Sequence, residues 1–154
     1  MQKNSIFNII KHRDQLSITC SSRLENIDLA DEETRLFLME KGLEPAVFAV
    51  CLGMREGMTN AVKHGHGFIC DKLIHYQLVI SENRLIAEIE DEGDGFDWRA
   101  ARRKEPLLES DHGRGLAIIR KYSDLFWYNE KGNKLVFVIE IHPRKGRLFP
   151  KDHA

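Results

Sequence analysis

The chain holds only three cysteines, Cys20, Cys51 and Cys70, odd in number and far apart. Such spacing builds neither a disulfide framework nor the paired ligands of a zinc site or redox dithiol, so all three read as reduced core thiols. Long apolar runs are missing as well. Nothing approaches the roughly 20 residues of a membrane span, and the opening Met1-Gln-Lys-Asn-Ser-Ile-Phe-Asn has no apolar segment of the signal-peptide kind. A cytoplasmic protein without membrane partners is expected. Charge of one sign is also lacking: 23 Lys and Arg face 24 Asp and Glu, a formal charge of −1. That balance excludes a broad electrostatic drive toward nucleic acid or an anionic bilayer. There is no internal repeat and no low-complexity tract.

What is present suits one globular domain. The 154 residues are 42% hydrophobic and 31% charged, enough for a single core and too few for two. A domain over residues 1–142 and a polar, basic tail over 143–154 are expected. Leu16 to Ser21 alternates and reads as a first strand. A helix runs from the acidic start Asn26-Ile-Asp28 to about Lys41, stopped by Gly42. Pro45 opens a long second helix, whose apolar positions Val47, Val50, Cys51, Met54, Met58, Ala61 and Val62 recur at helical spacing to Gly65 or Gly67. Lys72–Ser81 and Arg84–Asp91 alternate around Ser81-Glu-Asn83 as a hairpin. Residues 96–112 carry Pro106 and the run Arg102-Arg103-Lys104 without a period, as a mobile loop does. A short helix, about Leu116 to Tyr122, precedes strands Leu125–Tyr128 and Lys134–Ile141, joined by the turn-rich Asn129-Glu-Lys-Gly132-Asn133. Antiparallel connections with irregularly placed helices predict an α+β fold: a two-layer α/β sandwich, helices on one face of a mixed, mostly antiparallel sheet.

Three stretches carry chemistry. On the second helix, Asn60 lies about 40° and Lys63 about 20° from Glu56 around the axis, so carboxylate, amide and cation share a stripe with Gly53 and Gly57 nearby. Each glycine costs about 1 kcal/mol against alanine inside a helix, which close approach of a ligand or a neighbouring backbone would explain. A solvated polar face is the competing reading. In the strand Arg84–Asp91, the inward set Leu85, Ala87, Ile89 ends on Asp91, delivering a carboxylate to the core side at the strand terminus. A buried acid needs a donor, and the exocyclic amine of a ligand would serve. Gly93 and Gly95 would let a flat ring approach, or simply make a turn. Finally, Gly113-Arg114-Gly115 precedes an apolar helical turn at Leu116. Free N–H groups and the helix dipole would there face a phosphate, with Arg114 as a fork, unless the glycines are only a hinge.

Together, Glu56-x-x-x-Asn60-Ala-x-x-His64, Asp91-x-Gly93-x-Gly95 and Gly113-x-Gly115-Leu116 resemble, in order, the N, G1 and G2 boxes of the GHKL (histidine-kinase-like) ATPase superfamily. The small size and the Thr59-Asn60-Ala61 context look most like its RsbW-type anti-sigma-factor serine kinases. The resemblance spans about residues 16 to 141. It implies the Bergerat-type ATP-binding fold and the cofactors ATP and Mg²⁺, with Asn60 as metal ligand and Glu56 as catalytic base on a serine of a partner. It also implies Asp91 on the adenine amine beside Gly93 and Gly95, the phosphates on Gly113, Arg114, Gly115 and Leu116 with Lys63 and His64 nearby, and a lid over residues 96–112. Lys63 and His64 also suit a helix end through its dipole.

The implied partners are a STAS-type anti-sigma-factor antagonist, with a sigma factor and a homodimer as further options. The alternative is an ATP-binding interaction module that regulates by sequestration. Lys134-Leu-Val-Phe departs from the family in lacking the small hydroxyl residue many relatives place beside adenine. A sensor histidine kinase would need a dimerisation helix pair before residue 16, where His12 sits in no such helix. Walker loops and eukaryotic-type kinase signatures are absent.

Overall fold

The computed structural model describes residues 4–95 and 111–141, with the backbone alone for 111–115. A hairpin of β1 (Phe7–His12) and β2 (Gln15–Ser21) leads into α1 (Leu24–Glu40). A single 3₁₀ turn, Glu44–Ala46, feeds α2 (Val47–Asn60), which runs on as a π-helical turn, Ala61–Gly65. Then come β3 (Leu73–Ser81), β4 (Arg84–Asp91), α3 (Asp111–Tyr122), β5 (Leu125–Tyr128) and β6 (Lys134–Glu140). The six strands form one sheet in the order β1-β2-β3-β4-β6-β5. Every pairing in it is antiparallel, so the mixed sheet expected from the sequence is corrected to a purely antiparallel one.

Strand alternation fixes which face is covered. One row of partners crosses five strands, Ile18, Tyr76, Ile89, Leu135 and Tyr128, and all five side chains are buried. The helices supply Phe37, Leu38, Val50, Met54 and Met58 to the same core. Each such side chain contributes about 1.5–3 kcal/mol on burial. Tyr76 satisfies its hydroxyl against Thr34 Oγ1 at 3.1 Å, and Thr34 in turn donates to the Ala30 carbonyl at 2.7 Å. The opposite face is polar, with Lys134 paired to Glu88 at 3.2 Å and Thr19 to His75 at 3.2 Å.

α1 ends as its sequence requires. Gly42 takes φ +69°, a left-handed conformation that glycine adopts without strain, and the Leu43 N–H reaches back to the Leu38 carbonyl at 2.8 Å. α1 is fastened to α2 by charge. The buried Asp31 accepts from Arg35 Nε at 2.6 Å and from Arg55 Nε, while Arg55 Nη2 also holds Asp28 at 2.9 Å. Burial pushes the Asp31 carboxyl up, but the bonds from Arg55, Arg35 and Cys51 outweigh it and hold the acid below its ordinary range.

Three expectations change. β1 is an added edge strand. α3 begins at Asp111, not Leu116, which puts Gly113-Arg114-Gly115 inside the helix, across the end of its first turn. Cys20 and Cys51 are buried, with thiols pushed up to about 12 by burial, but Cys70 is exposed. Residues 96–110 of the expected lid, including Arg102-Arg103-Lys104, and the tail 143–154 lie outside the described residues. No helix among the described residues is long and apolar enough to cross a membrane.

Candidate functional site

Where α2 gives way to its π turn, a cavity of about 180 Å³ lies between helix and sheet. Asn60, Ala61, His64 and Gly65 wall it from the helix side, Ile89 and Asp91 from β4, and Tyr128, Gly132 and Leu135 from the β5–β6 hairpin. Four expected site residues, Asn60, His64, Asp91 and Gly95, therefore meet around one space, although 31 positions separate Asn60 from Asp91 in the chain. A π turn inserts one residue into the helical ladder and often marks a functional position. Here it presents the Cα of Gly65 to the Asp91 carboxyl: a Cβ at Gly65 would stand 2.6 Å from Asp91 Cγ.

Asp91 is the ordered centre of the site. Its N–H donates to the Asn133 carbonyl at 2.9 Å, its own carbonyl accepts from Asn133 Nδ2 at 2.9 Å, and its Oδ1 accepts from the Gly93 N–H at 2.8 Å. Burial pushes this carboxyl above its ordinary range, and the Gly93 N–H pulls weakly the other way. A half-buried acid with that balance gains from a further donor, such as an amine on a flat heterocycle.

The glycines earn their places differently from what the sequence implied. A Cβ at Gly93 would lie 2.2 Å from the Gly65 carbonyl oxygen, and one at Gly95, where φ is +84°, would lie 1.7 Å from the Lys131 carbonyl oxygen. They let three backbones converge, and the ring-sized space lies beside them. Gly53 and Gly57 are corrected in the same sense. A Cβ at Gly53 would meet Phe137 Cζ at 2.8 Å and one at Gly57 would meet Ile89 Cδ1 at 2.5 Å. Helix-to-sheet packing, not a ligand, fills the space above Gly53, while Gly57 both packs and borders the cavity.

Asn60 is half-buried, its side chain hydrogen-bonded to Tyr128 and its Nδ2 buried with no partner among the described residues. Burial pushes the Tyr128 phenol up to about 12, so it is protonated and can donate or accept at neutral pH. Tyr128 pairs in register with Leu135 of β6, which is apolar. Glu56 lies one turn before Asn60 and is half-buried; Lys63, also half-buried, belongs to the π turn. Neither borders the cavity. Leu116 is buried in the core, and the side chains of Gly113-Arg114-Gly115 lie outside the described residues. Sequence reasoning missed Tyr128, Asn133 and His66. The only sequence signal for Asn133 was its place in a turn-rich run.

A family model described as the histidine kinase-like ATPase domain matches residues 20–139. The chain belongs to that family. The match begins inside β2 and ends inside β6, so it takes in Glu56, Asn60, Asp91 and the Gly113–Leu116 segment and leaves β1 outside. Comparison with curated proteins finds no match. Membership makes this an ATP-binding domain of the kinase and ATPase class, with the α+β two-layer fold seen here. The residues suit the ligand: an acid set for a base amine, a cavity bounded by glycine corners, and a buried amide with an unpaired nitrogen. For Mg²⁺ the donor set is one amide, which fits an ion that takes few protein ligands and keeps water and phosphate oxygens for the rest.

Proposed function

We propose that the chain is an Mg-ATP-dependent protein serine/threonine kinase of the anti-sigma-factor type, which phosphorylates a serine on a STAS-type antagonist. The observation carrying this reading is the meeting of Asp91 and Asn60 across one cavity, with Glu56 one turn further up α2. Asp91 receives the adenine amine, and its backbone clamp to Asn133 keeps it from following the ligand. Asn60 would hold the metal through its amide oxygen, with its amide nitrogen toward the Tyr128 hydroxyl. A phenol accommodates either orientation. Bound Mg²⁺ would neutralise charge on the phosphates. Glu56 takes the proton of an incoming serine hydroxyl as the oxygen attacks the terminal phosphorus, and the bond to the leaving phosphate oxygen breaks. Gly113, Arg114, Gly115 and Leu116, with Lys63 and His64, are the proposed phosphate contacts at the start of α3 and the end of α2. A sigma factor and a second copy of the chain remain proposed partners, at a cytoplasmic location.

The test mixes the protein with Mg²⁺, terminally labelled ATP and a purified STAS-domain antagonist. Label on the antagonist's serine, lost with Glu56→Gln while ATP still binds, is expected. ATP binding without transfer by the unaltered chain would favour the second reading, an interaction module that regulates by sequestration.

A further inference from the structure

Three consecutive N–H groups form the corner that follows β4, and each has a different acceptor. Asp91 donates to the Asn133 carbonyl at 2.9 Å, Glu92 to His66 Nε2 at 2.8 Å, and Gly93 to Asp91 Oδ1 at 2.8 Å. A backbone carbonyl keeps its lone pairs at any pH. An imidazole nitrogen does not: once protonated it becomes a donor facing another donor.

His66 is built into this position. Its backbone N–H closes the π turn on the Ala61 carbonyl at 2.8 Å, and its side chain is 2% exposed. The chain then turns away through Gly67 and Phe68, at φ +55° and +63°, with the Phe68 N–H on the Val62 carbonyl at 2.9 Å. Gly67 takes the left-handed conformation without strain, whereas Phe68 does not, so the turn that follows the His66 ring is a built feature of the chain. Glu92 is tied from its other end too, Oε1 accepting from the Leu73 N–H at 2.5 Å.

The geometry points to His66 as a positioning residue for nucleotide binding: in its neutral form alone it fixes the Glu92 peptide and so sets the Asp91 carboxylate that reads the base. This rests on the ATP-binding reading of the cavity and adds a pH dependence to it. The charges around the ring are Lys72 at the entrance to β3 and Glu92 after β4. Lys63 and His64 lie on the π turn, Asp71 on the loop, and Asp91 against Gly65. Burial first, then Lys72, holds the imidazole below its ordinary 6.5, with Glu92 opposing. The neutral form therefore prevails at neutral pH, and the corner is released only as the pH falls through that lowered value.

The test titrates the full chain with Mg-ATP by calorimetry between about pH 8 and about pH 5, beside His66→Gln and His66→Leu. Glutamine offers an amide oxygen where Nε2 stood and cannot take up a proton. Its affinity at pH 8 is expected within about threefold of the unaltered chain, with a shallower loss in acid, the remainder belonging to Asp91. Leucine offers no acceptor and is expected to bind about 5- to 100-fold more weakly than the unaltered chain at pH 8, the gap closing in acid as the unaltered imidazole takes up its proton. In the ligand-free protein, the Glu92 amide is expected to be protected from hydrogen exchange in the unaltered and glutamine chains and unprotected in the leucine one. An acid loss as steep in His66→Gln as in the unaltered chain, or unchanged affinity and Glu92 protection in His66→Leu, would overturn the inference. An unaltered chain that binds no ATP at pH 8 overturns the reading beneath it, whereas the exchange measurement separately tests the His66–Glu92 bond.

Discussion

The two halves of α2 face the same sheet and are finished in opposite ways. In the first half, every space is taken. Phe137 fills the hollow above Gly53, Val50 and Met54 are buried, and Arg55 closes onto the buried Asp31 of α1. In the second half, the ladder loosens into a π turn and a cavity opens. Two buried side-chain nitrogens, Asn60 Nδ2 and His66 Nδ1, have no partner among the described residues. Buried polar atoms are normally satisfied, because leaving one unpaired costs about 1–3 kcal/mol. The two halves thus differ in how completely their packing and polar groups are satisfied.

Substitutions can break that division from either side. The largest expected effect is on the closed half. Asp31→Ala removes the buried acceptor shared by Arg35 and Arg55 and should lower unfolding free energy by about 3 kcal/mol, the low end for a broken buried pair because both arginines stay half-exposed. Urea unfolding measures it, and ATP affinity in the surviving folded protein should not change. The mirror experiment is Asp91→Asn. Losing a charge-assisted bond should weaken ATP roughly 10- to 100-fold, since such bonds are worth about 1.5–3 kcal/mol. Stability should hold or rise. Burial raises the Asp91 pKa, so its charge costs stability that grows as pH rises through the folded value, and asparagine removes that slope. Thermal melts across pH check the sign.

Gly57→Ala tests the boundary between the halves. Its Cβ would press on Ile89 Cδ1 and Leu135 Cδ2, at 2.5 and 2.9 Å. A stability loss of about 1–3 kcal/mol is expected, together with weaker ATP binding as those side chains shift into the cavity; melts and calorimetry read the two separately. Asn133→Ala is the mildest. It deletes the hydrogen bond to the Asp91 carbonyl and the one Asn133 Oδ1 accepts from Asn129 Nδ2, both half-buried, and should cost about 1–2 kcal/mol by urea unfolding.

The sequence exposed this division unevenly. Strands β2 to β4 were legible because each has one covered face and alternates accordingly; β4 even announced its inward acid. β1 was not. It is an exposed edge strand whose Ile9 and Ile10 sit side by side, so no burial pattern marked it. Helix periodicity placed Asn60 and Glu56 on one stripe, but it could not tell that Gly53 on that stripe faces Phe137. The hydrogen bonds that hold Asp91 and its neighbour Glu92 were hidden for another reason. His66 and Asn133 act on partners 26 and 42 positions away, and in the chain each reads as an ordinary turn residue. Motif spacing pointed to Asn60, His64, Asp91 and Gly95, which meet around one cavity. What holds those residues still depends on tertiary contacts.

The decisive measurement is the base preference of the cavity: calorimetric titration of the unaltered chain and of Asp91→Asn with Mg-ATP and with Mg-GTP. A saturable, one-to-one heat with ATP, little heat with GTP, and a narrowed gap between the two in Asp91→Asn are expected. Equal heats for the two nucleotides in the unaltered chain, or no saturable heat with ATP, would contradict an adenine site built on Asp91.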